Sequence, residues 1–182
     1  MSLRFFGIQC SYGNPLVYNS VWAGRYDEAL EEITKAISFD DEYKSYYMRT
    51  LAVVYALKCM YSEALAEIDK TKDWPSWKTN PWFRRDRAWI LALCGRRGNA
   101  LEALEEQKSL HLDTTYDEAC VYAGLGDKDK AFKYLNMAYE SYSSQMIQLV
   151  SDWCLHSLHD DPRFEELAKK VGFPVISKKV QD

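Results

Sequence analysis

The chain has 182 residues, of which 47% are apolar and 27% charged, so it is too apolar for a disordered segment and long enough for a continuous core. Its net charge of −4 and isoelectric point near 5.5 argue against a nucleic acid as the main partner. No apolar run approaches the roughly 18 to 20 residues that span a bilayer, so we expect no membrane partner.

The cysteines and the first residues suggest where the chain works. Five cysteines occur without C-x-x-C spacing, which is typical of reduced thiols packed as small apolar side chains. The first ten residues contain one basic residue and only a short apolar run, which does not resemble a signal peptide. We therefore expect a cytoplasmic protein.

The first helix pair is predicted over residues 14–40. Residues 1–13 carry no clear period, and we interpret them as an N-terminal extension or cap. Asn14 followed by Pro15 is typical of a helix start, and Gly24 of a helix end. From Tyr26 to Phe39 the apolar residues recur every three or four positions, which predicts the second helix of the pair.

Three further pairs are predicted, over residues 41–76, 80–110 and 113–143. The segment from Trp74 to Thr79 is interpreted as a proline-broken connection, and Asn80-Pro81 as the next helix start. Thr115 and Glu118 have the spacing of a capping box, in which two side chains satisfy two backbone N–H groups.

The last part of the chain is predicted to cover the end of the core. We interpret residues 146–174 as a cap, whose helix starts at Asp161-Pro162 and ends at Gly172. The final segment, 175–182, is a polar tail. A terminal cap is what a repeat array requires, because its last repeat would otherwise expose a core edge.

A short sequence segment recurs and places these pairs in register. Alanines at positions 29, 64, 100 and 131 each follow a turn segment and are 35, 36 and 31 residues apart. A period near 34 is typical of stacked helix pairs. The segments 24–30 and 59–65 resemble the tetratricopeptide repeat family, with Gly-x-Tyr-x-Glu-Ala-Leu in the first.

The C-terminal half extends this resemblance. Segments 116–128 and 160–167 are similar to the last repeat and tail of bacterial and archaeal arrays that follow winged-helix regulators, Ser/Thr kinases or cyclases. The resemblance implies an all-α fold: a right-handed α-solenoid of about four helix pairs over residues 14–174, with a C-terminal capping helix.

In this family the first helix of each pair implies a concave face on which partner peptides lie. Trp82, Arg85 and Trp89 are spaced i, i+3, i+7 and so share one helix face. Aromatic and arginine side chains of this kind dominate interface hot spots. The expected partner-binding residues are Tyr46, Arg49, Val53, Trp82, Arg85, Trp89 and Tyr116.

The predicted function is therefore a non-enzymatic scaffold that binds a protein or peptide and needs no cofactor. On this hypothesis Trp89→Ala loses partner binding and leaves thermal unfolding almost unchanged. Alternatively, the tryptophans pack between neighbouring helices. The carboxylate clamp of chaperone-binding members is not reproduced, since it needs Lys or Asn where this chain has Tyr18, Thr50, Trp82 and Asp86.

Metal binding and catalysis are disfavoured. Cys154, His156 and His159 lie close enough in sequence to form a zinc site, but their segment resembles the capping tail of the family, where no metal is implied. His111 stands alone, and no convergent set of acid, base and nucleophile can be identified.

Two alternatives concern assembly. In one, residues 1–13 pair with a second copy and form a homodimer whose groove is empty. In the other, the chain is a regulatory module of a larger signalling or transcription-regulatory protein.

Overall fold

The computed structural model describes residues 15–39, 43–109 and 113–174, and all regular structure in these ranges is helical. The all-α prediction is confirmed for this part of the chain. None of the helices in the described ranges is long and apolar enough to cross a membrane. The chain divides into two compact units, Met1–Phe83 and Arg84–Asp182, and the boundary falls inside the helix that opens the predicted third repeat.

The first unit consists of consecutive helices that pack on their neighbours in sequence, α1 on α2, α2 on α3 and α3 on α4. Their bounds are α1 Pro15–Trp22, α2 Tyr26–Phe39, α3 Lys44–Leu57, α4 Tyr61–Asp69 and α5 Pro75–Thr79, followed by the first turn of α6 Pro81–Leu93. The core of this unit is formed by Val17, Val21, Ala29, Ile33, Tyr47, Leu51 and Val54. These residues are the apolar stripe that the helical period predicts.

The second unit contains the rest of α6 and the remaining helices. They are α7 Arg97–Ser109, α8 Thr115–Gly124, α9 Lys128–Glu140, two 3-10 helices, Ser144–Gln148 and Trp153–Leu158, and α10 Pro162–Val171. Helix α8 packs on α7, on α9 and on the second 3-10 helix, and α10 packs on α9. Helix α8 is therefore the central element of this unit, and almost all of its side chains are buried.

Four of the turns between successive helices have the same backbone geometry. Gly24, Cys59, Gly95 and Gly126 have φ of 70°, 61°, 72° and 74°. At each turn this residue donates its N–H to the carbonyl three positions back, and the next residue donates to the carbonyl five back, as from Arg25 to Ser20. This is the Schellman arrangement, which satisfies carbonyls that the ending helix leaves free.

The predicted helix starts are confirmed where they can be seen. Asn80 accepts the backbone N–H of Trp82 at 3.0 Å, and Asp161 accepts that of Arg163 at 3.1 Å. The capping box at Thr115 and Glu118 is wrong. The residue that caps α8 is Thr114, which makes no side-chain capping bond, and the carboxylate of Asp113 accepts the N–H of Thr115 instead.

Two further expectations are corrected, and some fall outside the described residues. The connection from Trp74 to Thr79 contains the short helix α5, and the apolar piece after residue 146 forms 3-10 turns. Residues 1–13, Asn14, His111 and the polar tail 175–182 lie outside the described residues.

Candidate functional site

The first unit presents an aromatic patch, formed by Tyr43, Tyr46, Trp82 and Phe83 around the guanidinium of Arg49. The Tyr46 ring meets the Phe83 ring edge-on at 5.6 Å between centroids, and Tyr43 lies 6.4 Å from Tyr46. The central carbon of the Arg49 guanidinium is 5.5 Å from the Trp82 ring centroid and 6.0 Å from that of Phe83. Such distances allow cation–π attraction.

The aromatic patch combines a buried base with a partly exposed rim. Phe83 is fully buried and Arg49 is 4% exposed, whereas Tyr43, Tyr46 and Trp82 are partly exposed. The proline and asparagine at the start of α6 position Trp82, because Asn80 caps the helix at the N–H of that residue. The positive charge of Arg49 is thus held beneath aromatic side chains that solvent reaches.

The second unit contains a polar core cluster: Arg85, Asp86, Gln107, Tyr116, Asp117, Cys120, Asp152 and Cys154. Each of these side chains is buried. They come from α6, α7, α8 and the start of the second 3-10 helix. Buried ionisable groups are costly unless they pair, so the partners of each one decide what the cluster can do.

Arg85 is the centre of charge in the polar core cluster. Its Nη1 donates to Asp152 Oδ2 at 2.8 Å, and its Nε and Nη2 donate to Asp86 Oδ1 at 3.0 and 2.8 Å. Burial by itself would lower the pKa of Arg85, but Asp152 and Asp86 outweigh it, and the pKa stands well above its ordinary value. The guanidinium is therefore permanently charged and tied to two carboxylates.

The two cysteines of the polar core cluster lie against Asp152. A sulfur of Cys120, a sulfur of Cys154 and a carboxylate oxygen of Asp152 all lie within 4.8 Å of one another. Asp152 Oδ1 also accepts the backbone N–H of Cys154 at 3.1 Å. Burial raises the pKa of both thiols, that of Cys154 well above its ordinary value. At neutral pH both are thiols and poor nucleophiles.

Asp117 and Tyr116 carry polar atoms that lack a partner among the described residues. Gln107 Nε2 donates to Asp117 Oδ2 at 2.6 Å, while Asp117 Oδ1, Gln107 Oε1 and the Tyr116 hydroxyl have no hydrogen bond. Burial raises the pKa of Asp117 to about 7 and that of Tyr116 well above its ordinary value. A protonated Asp117 would gain a donor where Gln107 offers an acceptor.

The structure places the seven expected partner-binding residues mostly in the interior. Val53 and Tyr116 are fully buried, Arg85 is 1% exposed, Trp89 3% and Arg49 4%. Only Tyr46 and Trp82 are partly exposed. The expectation that all seven line an exposed groove is corrected, because the helix face that carries them is the face that packs inward. Partner binding at Tyr46 and Trp82 stays a prediction.

The alternative zinc set is also corrected. His156 is exposed and His159 partly exposed, and their rings meet edge-on at 5.3 Å. Cys154 points elsewhere: it is buried and belongs with Cys120 and Asp152. Neither histidine is part of that group of ligand atoms, so the sequence spacing brings together the wrong residues.

Sequence reasoning missed most of the polar core cluster. Asp117 was assigned no role between the two residues of the predicted capping box, and Asp152 stood unnoticed between apolar residues. The available signal was a charge inside an apolar run, as at Arg85-Asp86 and at Asp152. Such a residue is seldom buried unless it is paired.

The second unit also has a surface cavity of about 250 Å³ between α6 and α7, bordered by none of the residues of the two sites above. Arginines and glutamates alternate around it, so its charges offset one another. Its lining is Arg87, Leu91, Arg96, Asn99, Glu102, Ala103 and Glu106. We assign it no function.

In comparisons with known proteins, the chain matches no family model, no curated protein and no solved structure. The resemblance to tetratricopeptide repeats consequently stays a prediction from the residues that carry it.

Proposed function

We propose that this protein is a tetratricopeptide-type α-solenoid that acts as a non-enzymatic scaffold for a protein or peptide partner. The observation that carries the proposal is the aromatic patch: Tyr43, Tyr46 and Trp82 expose aromatic surface above a buried arginine. Interface hot spots are enriched in these residue types. The proposed contact surface is smaller than the groove expected from the sequence.

The repeated turns support the repeat-array part of the proposal. The four left-handed turn residues, at positions 24, 59, 95 and 126, are 35, 36 and 31 residues apart. Each follows one helix and precedes another, with the same pair of backbone hydrogen bonds. A structural unit that recurs at this interval is typical of helix-pair repeats.

The chemistry of the aromatic patch suggests what kind of partner fits. Its rim offers two phenol groups and an indole, which combine apolar area with hydrogen-bonding groups. Beneath them, the charge of Arg49 favours a carbonyl or carboxylate group on the partner. We infer an extended peptide or helix end that places an apolar side chain between Tyr46 and Trp82. Nucleic acid and membrane are not proposed as partners.

The experiment uses affinity capture from the source lysate, followed by titration with the purified captured partner. The bait is the full chain, beside a Tyr46→Ala/Trp82→Ala variant and a Phe39→Ala control, since Phe39 is 89% exposed and outside the patch. We expect the double variant to bind at least about 30-fold more weakly, since two hot-spot residues cost about 1 kcal/mol or more each. Equal affinity of all three baits contradicts the proposal.

The alternative is a self-associating module or a regulatory part of a larger protein. Light scattering over a concentration series distinguishes self-association, because it predicts a stable dimer without any partner. We place the protein in the cytoplasm, in line with the free thiols at Cys59, Cys94, Cys120 and Cys154.

A further inference from the structure

The polar core cluster contains an arrangement that the scaffold function does not use. Cys120, Cys154 and Asp152 bring two sulfurs and a carboxylate oxygen within 4.8 Å of one another, although 34 residues separate the two cysteines in sequence. From these ligand atoms we propose that Cys120, Cys154 and Asp152 bind one zinc-class metal ion as a buried structural site. The proposal is independent of the aromatic patch.

The type of donor selects the type of ion. Two thiolates are soft ligands and exclude magnesium or calcium, which take oxygen ligands only. Zinc accepts mixed sulfur and carboxylate sets, with ligands roughly 2.0 to 2.3 Å from the metal and hence roughly 3.3 to 3.8 Å apart. The observed separations of up to 4.8 Å require the three side chains to close by about 1 Å at most.

The surrounding groups resemble the outer shell of a metal site. Asp152 is a suitable ligand because Arg85 holds its Oδ2 at 2.8 Å and the N–H of Cys154 holds its Oδ1 at 3.1 Å. Groups that fix a ligating carboxylate in this way commonly control affinity. The carboxylate therefore has its orientation before any ion arrives.

Tyr116 provides a second, independent indication. Its hydroxyl is fully buried and has no hydrogen-bond partner among the described residues. The charges of Asp152, Cys120, Arg85 and Cys154 all act on it, so it faces the same three ligands. A buried hydroxyl without a partner is costly. A water molecule in the fourth position of a tetrahedral ion would provide that partner.

The charge balance also permits the ion. With both thiols protonated, Arg85, Asp86 and Asp152 sum to one negative charge. Binding of one divalent ion releases the two thiol protons to solvent and forms two metal–sulfur bonds, with no change of oxidation state. The sum of charges stays at minus one. The raised pKa of the thiols does not prevent this step, because a coordinated thiol gives up its proton to the metal.

The experiment adds Co²⁺, as a spectroscopic probe for zinc, to the full chain kept reduced by a phosphine and freed of metal by a chelator. We expect one equivalent of Co²⁺ to produce a sulfur-to-cobalt charge-transfer band, and one equivalent of Zn²⁺ to remove it. Native mass spectrometry should then record the chain plus one zinc minus two protons.

Variants distinguish the proposed ligands from the other thiols. Cys120→Ser and Asp152→Asn should weaken Zn²⁺ binding by more than the roughly 10- to 100-fold typical of an outer-shell change. Cys59→Ser and Cys94→Ser, both outside the polar core cluster, should bind as the parent does. Circular dichroism of the metal-free variants checks their folding, and the cobalt spectrum of the parent does not depend on them.

Three results would overturn the proposal. One is the absence of a charge-transfer band in the parent chain at equimolar Co²⁺. Another is a band that persists unchanged in Cys120→Ser. The third is a parent chain that, without the phosphine, holds a Cys120–Cys154 disulfide in place of zinc, seen as a loss of two hydrogens. In that case the cysteine pair is a redox group.

Discussion

Cys59 adopts a backbone conformation that residues other than glycine rarely adopt. Its φ of 61° matches those of Gly24, Gly95 and Gly126 at the corresponding turns. A side chain in this left-handed region costs about 1–2 kcal/mol, because its Cβ approaches the following carbonyl oxygen. The side chain is exposed, so no packing in the core compensates for this cost.

We therefore predict that Cys59→Gly stabilises the protein. The gain should be about 0.5–1 kcal/mol, since relief of the strained conformation exceeds the extra chain entropy of glycine in the unfolded state. The free energy of unfolding, measured with urea and followed by circular dichroism, checks it. The converse control is Gly95→Ala, which should lose about 1 kcal/mol. Destabilisation by Cys59→Gly would contradict the assignment of this turn.

Trp89 changes its expected role once the structure is known. The sequence hypothesis assigns it to partner binding, but its side chain is 3% exposed. We predict that Trp89→Ala costs about 3–5 kcal/mol of stability, the usual loss when a buried aromatic side chain is truncated. Thermal unfolding measures it. A midpoint within a degree or two of the parent would instead support an exposed position.

At the scale of helices, the closest approach within the second unit is between α8 and α6. A Cβ atom added to Gly124 would lie 2.9 Å from Trp89 Cδ1, 3.1 Å from the Cβ of Ala92 and 3.2 Å from the Trp89 carbonyl oxygen. The last of these is backbone and cannot turn away. Glycine at the end of α8 thus permits a contact that any larger residue obstructs.

We predict that Gly124→Ala destabilises the protein by about 1–3 kcal/mol, the range of overpacked cores, although alanine is the better helix former. The control is Gly98→Ala in α7, where an added Cβ meets no atom within 4 Å. That variant should be neutral or more stable by up to about 1 kcal/mol. Urea unfolding compares the two, and equal effects would indicate that α8 and α6 are farther apart.

At the scale of the whole molecule, the polar core cluster determines how stability depends on pH. Burial raises the pKa of Asp117 to about 7 from its ordinary 3.8; Asp152 and Asp86 raise it further, while Arg85 and the bond from Gln107 oppose the shift. The folded state therefore holds this proton more tightly than the unfolded state. Stability from this group is fully present below about pH 4 and is lost as the pH rises to about 7.

The prediction is a decline of up to about 1.4 kcal/mol per pH unit within that window. Asp117→Asn keeps an acceptor for Gln107 but cannot ionise, so its stability should change less between pH 4 and 7 and exceed the parent's at about pH 8. Urea unfolding in the presence of a metal chelator measures both proteins. Parallel curves for the two would show that Asp117 is ionised in the folded state.

The helices and turns could be predicted because their signals are local. A helix start at Asn80-Pro81, a stop at Gly172 and the apolar period of α2 depend on residues within a few positions of each other. The interval between Gly24, Cys59, Gly95 and Gly126 likewise indicated where successive helices turn. The sequence by itself therefore determined the all-α class and nearly all helix bounds.

Burial and the meeting of distant residues were decided only by the tertiary structure. The spacing of Trp82, Arg85 and Trp89 correctly assigns them to one helix face but does not say whether that face meets solvent or other helices. The approach of Cys120 to Cys154 depends on how α8 packs on the second 3-10 helix. A helical period specifies directions around one axis, and only the packing of several axes specifies what lies in each direction.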